Sequence, residues 1–220
     1  MNIIDPSTTH ISKEVVFGEN VTIHPNVVIQ GKTMIGDNTI IDSNTIIKSS
    51  VIGKNNYIIS SVIESGNKIG DYNNIGPFSH LRENNEIGNF NMIGSYVEIK
   101  DSKIGSFNNV KHLAYIGDVK VGNHVNFGAG TVFANYNSKK DIKNNSVVLD
   151  FSSIGSNSTI ISPVCIGSNS LIGAGSTVTK DIDSDSLYIN RGIEIYKKDY
   201  YKKDDLEDVI WLLILLIKRD

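Results

Sequence analysis

The stretch VKHLAYIGD, Val110–Asp118, sets a histidine beside a lysine, with a tyrosine and an aspartate close behind, in a chain dominated by Ile, Gly, Asn and Ser. A neutral imidazole, with an ordinary pKa of about 6.5, is suited to take a proton from an amine while that amine attacks a carbonyl carbon. His112 is therefore the candidate general base. Histidines in a repetitive wall are otherwise polar surface or turn residues, and His10, His24, His80 and His124 read that way. A zinc site is not expected, because His124 lies twelve residues after His112, His80 lies thirty-two before it, and no short paired-histidine motif occurs. Cys165, the single cysteine, reads as a small apolar filler and excludes an internal disulfide.

The elements that must position His112 follow a period of six. Phe17, Ile23, Ile29, Ile35, Ile41 and Ile47 advance by six each time, and the series runs on with occasional five-residue steps through Ile75, Leu81, Ile99, Val110, Ile116 and Phe133. A last run, Ile154, Ile160, Ile166, Ile172 and Val178, keeps the spacing. A helical face would recur at three and four residues, whereas short extended segments separated by turns fit the count directly. Three hexads per coil predict an all-β parallel β-helix of roughly nine coils, with the aliphatic ladder inside and Asn, Ser and Asp at the turns.

The expected divisions are a lead over 1–14, the β-helix over 15–182 and a charged C-terminal segment over 183–220. The period fails between Phe133 and about Val147, where ANYNSKKDIKNNS has no aliphatic beat, so 134–146 is read as a loop ejected from the coil. Such loops commonly carry function, and a disordered insertion is the alternative. Near the end, Asp204 and Glu207 form a capping-box pattern ahead of an apolar run, Val209–Ile217, with Lys218 and Arg219 behind it, which predicts a helix. Nine apolar residues fall short of the roughly 20 that span a bilayer, so packing on the coil's open end or on a neighbouring subunit is expected, and membrane contact is not.

Composition narrows the classes. The 220 residues carry 21 Lys plus Arg against 24 Asp plus Glu, a net charge of −3, which offers nucleic acid no general attraction. The opening MNIIDPSTTH has neither a basic nor an apolar leader region, so cytoplasmic residence is the expectation.

The hexad pattern resembles the hexapeptide-repeat acyltransferases, and that resemblance implies a left-handed coil, against the usual crossover rule. From about Ile75 to Arg191 the chain is similar, more specifically, to the acetyltransferase domain of the bacterial family of bifunctional N-acetylglucosamine-1-phosphate uridyltransferase/glucosamine-1-phosphate acetyltransferases. The pieces that carry this are IGPFSHLR, IGSYVEIKDSKIG, KHLAYIGD, VGNHVNFGAGTVFANYN, IGSNSTIISPVCIG and IGAGSTVTKDI. The resemblance implies acetyl transfer from acetyl-CoA to the amine of glucosamine-1-phosphate, with no metal required, by a homotrimer. It makes His112 the base, Arg82 and Lys100 the phosphate-holding cations, and Tyr115 and Asn126 residues on the sugar side. It makes Ala129, Asn135, Tyr136, Ser156, Ala174 and Arg191 the acetyl-CoA groove. Read singly, Arg82 and Lys100 are solvated charges, Tyr115 and Tyr136 packing residues and Ser156 a turn residue.

Two departures shape the expectation. The Gly-rich nucleotide loop of the family's uridyltransferase domain does not occur, so uridylyl transfer is not expected of this chain. In the loop, Asp141 stands where the family has a sugar-phosphate lysine, and Lys139 or Lys140 is a substitute. Acetylation of a nucleotide-linked amino sugar therefore stays open beside the first reading. So does a catalytically silent scaffold that binds a separate uridyltransferase.

Overall fold

The computed structural model describes residues 1–192. The helix expected around 204–219 lies outside the described residues. Within them the chain is a left-handed parallel β-helix: short strands, mostly of two residues, stack into three parallel sheets of 11, 10 and 9 strands. Each coil contributes one strand to each sheet in turn, as with Asn74–Ile75, His80–Leu81 and Glu86–Ile87. The first sheet runs from Asn2–Ile3 to Leu187–Tyr188, the second from His10–Ile11 to Thr177–Val178, and the third from Val16–Phe17 to Cys165–Ile166. The coil therefore begins inside the stretch 1–14 expected as a lead. Ile3 pairs with Ile23 and Ile11 with Ile29, but the turn between them is lengthened, with Asp5 accepting bonds from Ser7 and Thr8, and this hides the beat of six.

The period-six ladder is the core. Ile23, Ile29, Ile41, Ile47 and Ile58 through Ile172 and Val178 are fully or almost fully buried, and Phe17, on the first coil, is partly so. In-register stacking places each ladder side chain on another apolar one a coil away, as Ile75 on Ile93 and Val110 on Phe127, so apolar area is removed from water at roughly 25 cal/mol per Å² along the whole axis.

Between ladder positions a second inward column is small or polar, and its hydrogen bonds hold the coils in phase. The amide oxygens of Asn56, Asn73 and Asn91 each accept the backbone N–H of the next asparagine, at 2.8, 2.8 and 2.9 Å. Their amide nitrogens donate to the carbonyls of Gly70, Gly88 and Gly105. Outside the same corner, Tyr72, Phe90, Phe107, His124 and Phe151 form a column of rings stacked at 4.8–5.0 Å within 6° of parallel. All five have positive φ, where a Cβ is disfavoured, and stacking of about 0.5–1.5 kcal/mol per pair offsets that cost.

Candidate active site

Coil phase decides which site residues meet. At the corner between the first and second sheets, each coil presents an outward residue just before the left-handed turn residue. His112 holds this place before Leu113, Ala129 before Gly130, Ser156 before Asn157 and Ala174 before Gly175. Ser95 pairs in register with His112 a coil earlier, and the N–H groups of Asn157 and Gly175 donate to the carbonyls of Ala129 and Ser156. The candidate base and three candidate cosubstrate residues thus form one column parallel to the axis. Gly155 keeps this column tight, because a Cβ there would lie 2.3 Å from the Ala174 backbone nitrogen. Arg191 closes the column at its far end, its Nε donating to the Ala174 carbonyl at 2.9 Å.

The second sheet supplies the charges. Leu81 pairs with Ile99, so Arg82 and Lys100 emerge side by side on successive coils, with Gly117 in register below Lys100. Arg82 reaches Glu98 at 3.2 Å, and Glu98, ahead of Glu83, holds the guanidinium above its ordinary pKa. Lys100 lies 3.6 Å from Asp101. Tyr115 stands below Glu98 and lies across Gly117, where a Cβ would come within 2.4 Å of its hydroxyl. Arg82, Lys100 and Tyr115 therefore share one face, with His112 at its edge.

Three expected residues are placed otherwise. Asn126 pairs with Asn109 on the first sheet, so it faces out from a different side of the prism. Asn135 is 6% exposed, and its amide is occupied by Asp118 and by the Tyr115 hydroxyl, so it sits behind the site surface. Tyr136 is exposed on the loop, and its hydroxyl donates to Asp141 at 3.1 Å.

The loop itself is a small antiparallel hairpin, Tyr136–Asn137 with Ile142–Lys143. Its turn holds Lys139 and Lys140, whose backbone N–H groups donate to the Asn137 side chain. The lysine that reaches the charged face is Lys143, 3.6 Å from Asp101, which Lys100 also approaches. Lys143 was missed in the sequence because only the hairpin register shows which loop lysine turns inward. Among the described residues no group of three or more metal-ligating side chains converges, and no helix is long and apolar enough to cross a membrane.

Comparison with known proteins identifies the repeat and its relatives. The family model for bacterial transferase hexapeptide repeats matches residues 14–49 and 142–180. The bifunctional protein GlmU of Shouchella clausii is 40% identical over 93% of the chain, and that of Carboxydothermus hydrogenoformans is 46% identical over 92%. The chain belongs to the hexapeptide-repeat transferases. It spans less than half the length of these relatives, 44% and 45%. Among solved structures, LpxA from Acinetobacter baumannii aligns with 99% of this hexapeptide protein and 83% of its own chain, at a TM-score of 0.58 and 24% identity. The Arabidopsis UDP-N-acetylglucosamine acyltransferase aligns with 98% of the chain and 82% of its own at the same TM-score and 17% identity. These likenesses concern the coil. The GlmU matches bear out the recognition drawn from the motifs between Ile75 and Arg191.

Proposed function

We propose that this hexapeptide protein is an acetyl-CoA-dependent N-acetyltransferase that converts glucosamine-1-phosphate to N-acetylglucosamine-1-phosphate in the cytoplasm. The observation that carries the reading is the corner column, which puts His112 in line with Ala129, Ser156 and Ala174 and beside the face bearing Arg82, Lys100 and Tyr115. Acetyl-CoA supplies the activated acetyl group. Small side chains at Ala129 and Ala174 leave room for an extended ligand along the corner, and the Arg191 guanidinium suits phosphate at its end. His112 takes the proton of the attacking amine and returns one to the departing sulfur, so the step balances without a metal. Arg82, Lys100 and Lys143 hold the sugar phosphate, and Tyr115 contacts the sugar. Asn126 faces away from them, and a homotrimer, in which a neighbouring copy presents its own Asn126 side, completes the site.

Nothing in the Arg82, Lys100 and Lys143 cluster requires the acceptor's phosphate to be a monoester. The second reading, an amino sugar linked to a nucleotide, is favoured by the Asp141 to Tyr136 contact at the place of the family's lysine. Both readings are tested by release of free thiol from acetyl-CoA, with glucosamine-1-phosphate and a panel of UDP-linked amino sugars as acceptors. Turnover with the first, falling about 100-fold or more in His112→Ala, supports the first reading. Turnover only with a nucleotide sugar moves the substrate. No turnover, with stoichiometric capture of a separate uridyltransferase, replaces catalysis by a scaffold role.

A further inference from the structure

We infer that Asp118 is a positioning residue that fixes the ejected loop and the Tyr115 hydroxyl against the acceptor-binding face. The inference rests on the acetyltransferase reading for its kinetic consequence, while its structural part stands alone. Asp118 occupies the left-handed corner position at φ 56°, directly above the point where the chain leaves and rejoins the coil. Its backbone carbonyl accepts the N–H of Ser146, the first residue of the returning strand, at 3.2 Å. Its carboxylate accepts the side-chain amide of Asn135, the last residue before the hairpin. One residue thus holds both strands of the loop's neck, and the Asn144 N–H, donating to the Asn135 carbonyl at 2.8 Å, closes it.

The consequence reaches two side chains of the proposed site. The Asn135 nitrogen that donates to Asp118 also lies 3.4 Å from the Tyr115 hydroxyl oxygen. That oxygen can accept from the amide, which leaves its own proton to donate to a ligand. Without the Asp118 carboxylate the buried amide loses its charged acceptor, and nothing fixes which of its ends faces Tyr115. Lys143 depends on the same neck, because it pairs with Tyr136, the residue next to Asn135, and comes no closer than the hairpin base allows.

The corner conformation supplies clean variants. Asp118→Gly removes the carboxylate while glycine tolerates the positive φ, and Asp118→Asn keeps an oxygen that can accept from Asn135. Each is compared with the wild-type chain for acetyl transfer to glucosamine-1-phosphate, for thermal melting, and for tryptic cleavage after Lys139 and Lys140 read by mass spectrometry. Asp118→Gly is expected to raise the acceptor KM about tenfold, the scale of one charged hydrogen bond, with the acetyl-CoA KM within about twofold of wild type. Tryptic cleavage of the hairpin is expected to speed up several-fold, and Asp118→Asn to restore both measures. Asn135→Ala breaks the same contact from the other side and should match Asp118→Gly, with the double variant no worse than either. Wild-type cleavage rates and wild-type acceptor KM in Asp118→Gly would overturn the inference, and so would equal losses of both KM values. If the wild-type chain turns over no acceptor, the functional reading fails, and the cleavage rates alone decide whether Asp118 holds the loop.

Discussion

Lys143 and Asp101 meet at 3.6 Å across the base of the ejected hairpin, although 42 positions separate them in the chain. Asp101 sits at the same distance from Lys100, so one carboxylate gathers two ammonium groups beside Arg82. Three cations are thus assembled with Asp101, Glu83 and Glu98 relieving their mutual repulsion, and on the proposed reading they receive the acceptor's phosphate. Lys143→Ala is expected to raise the acceptor KM about tenfold, as loss of one charge-assisted contact does, with kcat little changed. Lys139→Ala and Lys140→Ala should leave KM near wild type. A larger effect from either turn lysine than from Lys143 would show that the hairpin closes differently over the ligand.

Asp101 also predicts an acid limit. Burial pushes its carboxyl up, but the Asn84 amide at 3.2 Å and the Lys100 and Lys143 ammonium groups more than offset this and hold it below the ordinary range. A carboxylate with a lower pKa folded than unfolded adds stability that is complete above the unfolded value, about 3.9, and is lost as pH falls through the folded one. Urea midpoints of wild type and Asp101→Asn should therefore differ most near neutrality and converge as the pH falls below the ordinary carboxylate range. A constant gap across that range would mean that the charge of Asp101 contributes nothing.

Gly117 makes room for a ring. A Cβ there would stand 2.4 Å from the Tyr115 hydroxyl, 2.6 Å from its ring carbon and 2.7 Å from the Asn135 amide nitrogen, so these side chains would have to shift from their places on the site face. Gly117→Ala should therefore disturb function before stability: a higher acceptor KM, like that of Tyr115→Ala, with a loss of no more than about 1–3 kcal/mol. Gly155→Ala should do the reverse, since its neighbour is the Ala174 backbone. Melting and steady-state kinetics on the two variants separate the effects, and identical behaviour would refute the distinction.

The ring column makes its own stability prediction. Phe107 stacks on Phe90 at 4.9 Å and on His124 at 4.8 Å, so Phe107→Ala forfeits two contacts worth about 1–3 kcal/mol together. Phe107→Asn loses the same contacts, but asparagine tolerates the left-handed backbone better and should recover part of the loss. The order wild type, Asn, Ala in urea midpoint is the expected result. If Asn equals or exceeds wild type, the rings do not stabilise the corner.

Much of this was legible in the sequence, for a physical reason. A solenoid converts sequence count into position, so the beat from Ile23 to Val178 gives the buried ladder residue by residue. The same count brings Ala129 to the corner of His112, 17 residues on, and Ala174 to that of Ser156, 18 on, while the 27 residues from Ala129 to Ser156 include the hairpin. It also contains the ring column, since Tyr72, Phe90, Phe107 and His124 are 17 or 18 residues apart, but an inward-looking search for apolar residues passes over them. What the count does not give is the hairpin, where two strands pair antiparallel and local register takes over. Lys143 and the grip of Asp118 on Asn135 belong to that region. The first coil escaped for a related reason, because the turn around Asp5 adds residues that break the rhythm without breaking the pairing.

The corner column carries a consequence for how this molecule tolerates insertions and deletions. A complete coil added or removed above His80 changes the height of the prism by one strand spacing, about 4.8 Å, and leaves every site residue facing as before. A single residue added at the same point swings all that follows around the axis and scatters them. Height is free and angle is fixed, so the chemistry depends on the phase of the chain and is indifferent to the length of the stem above it.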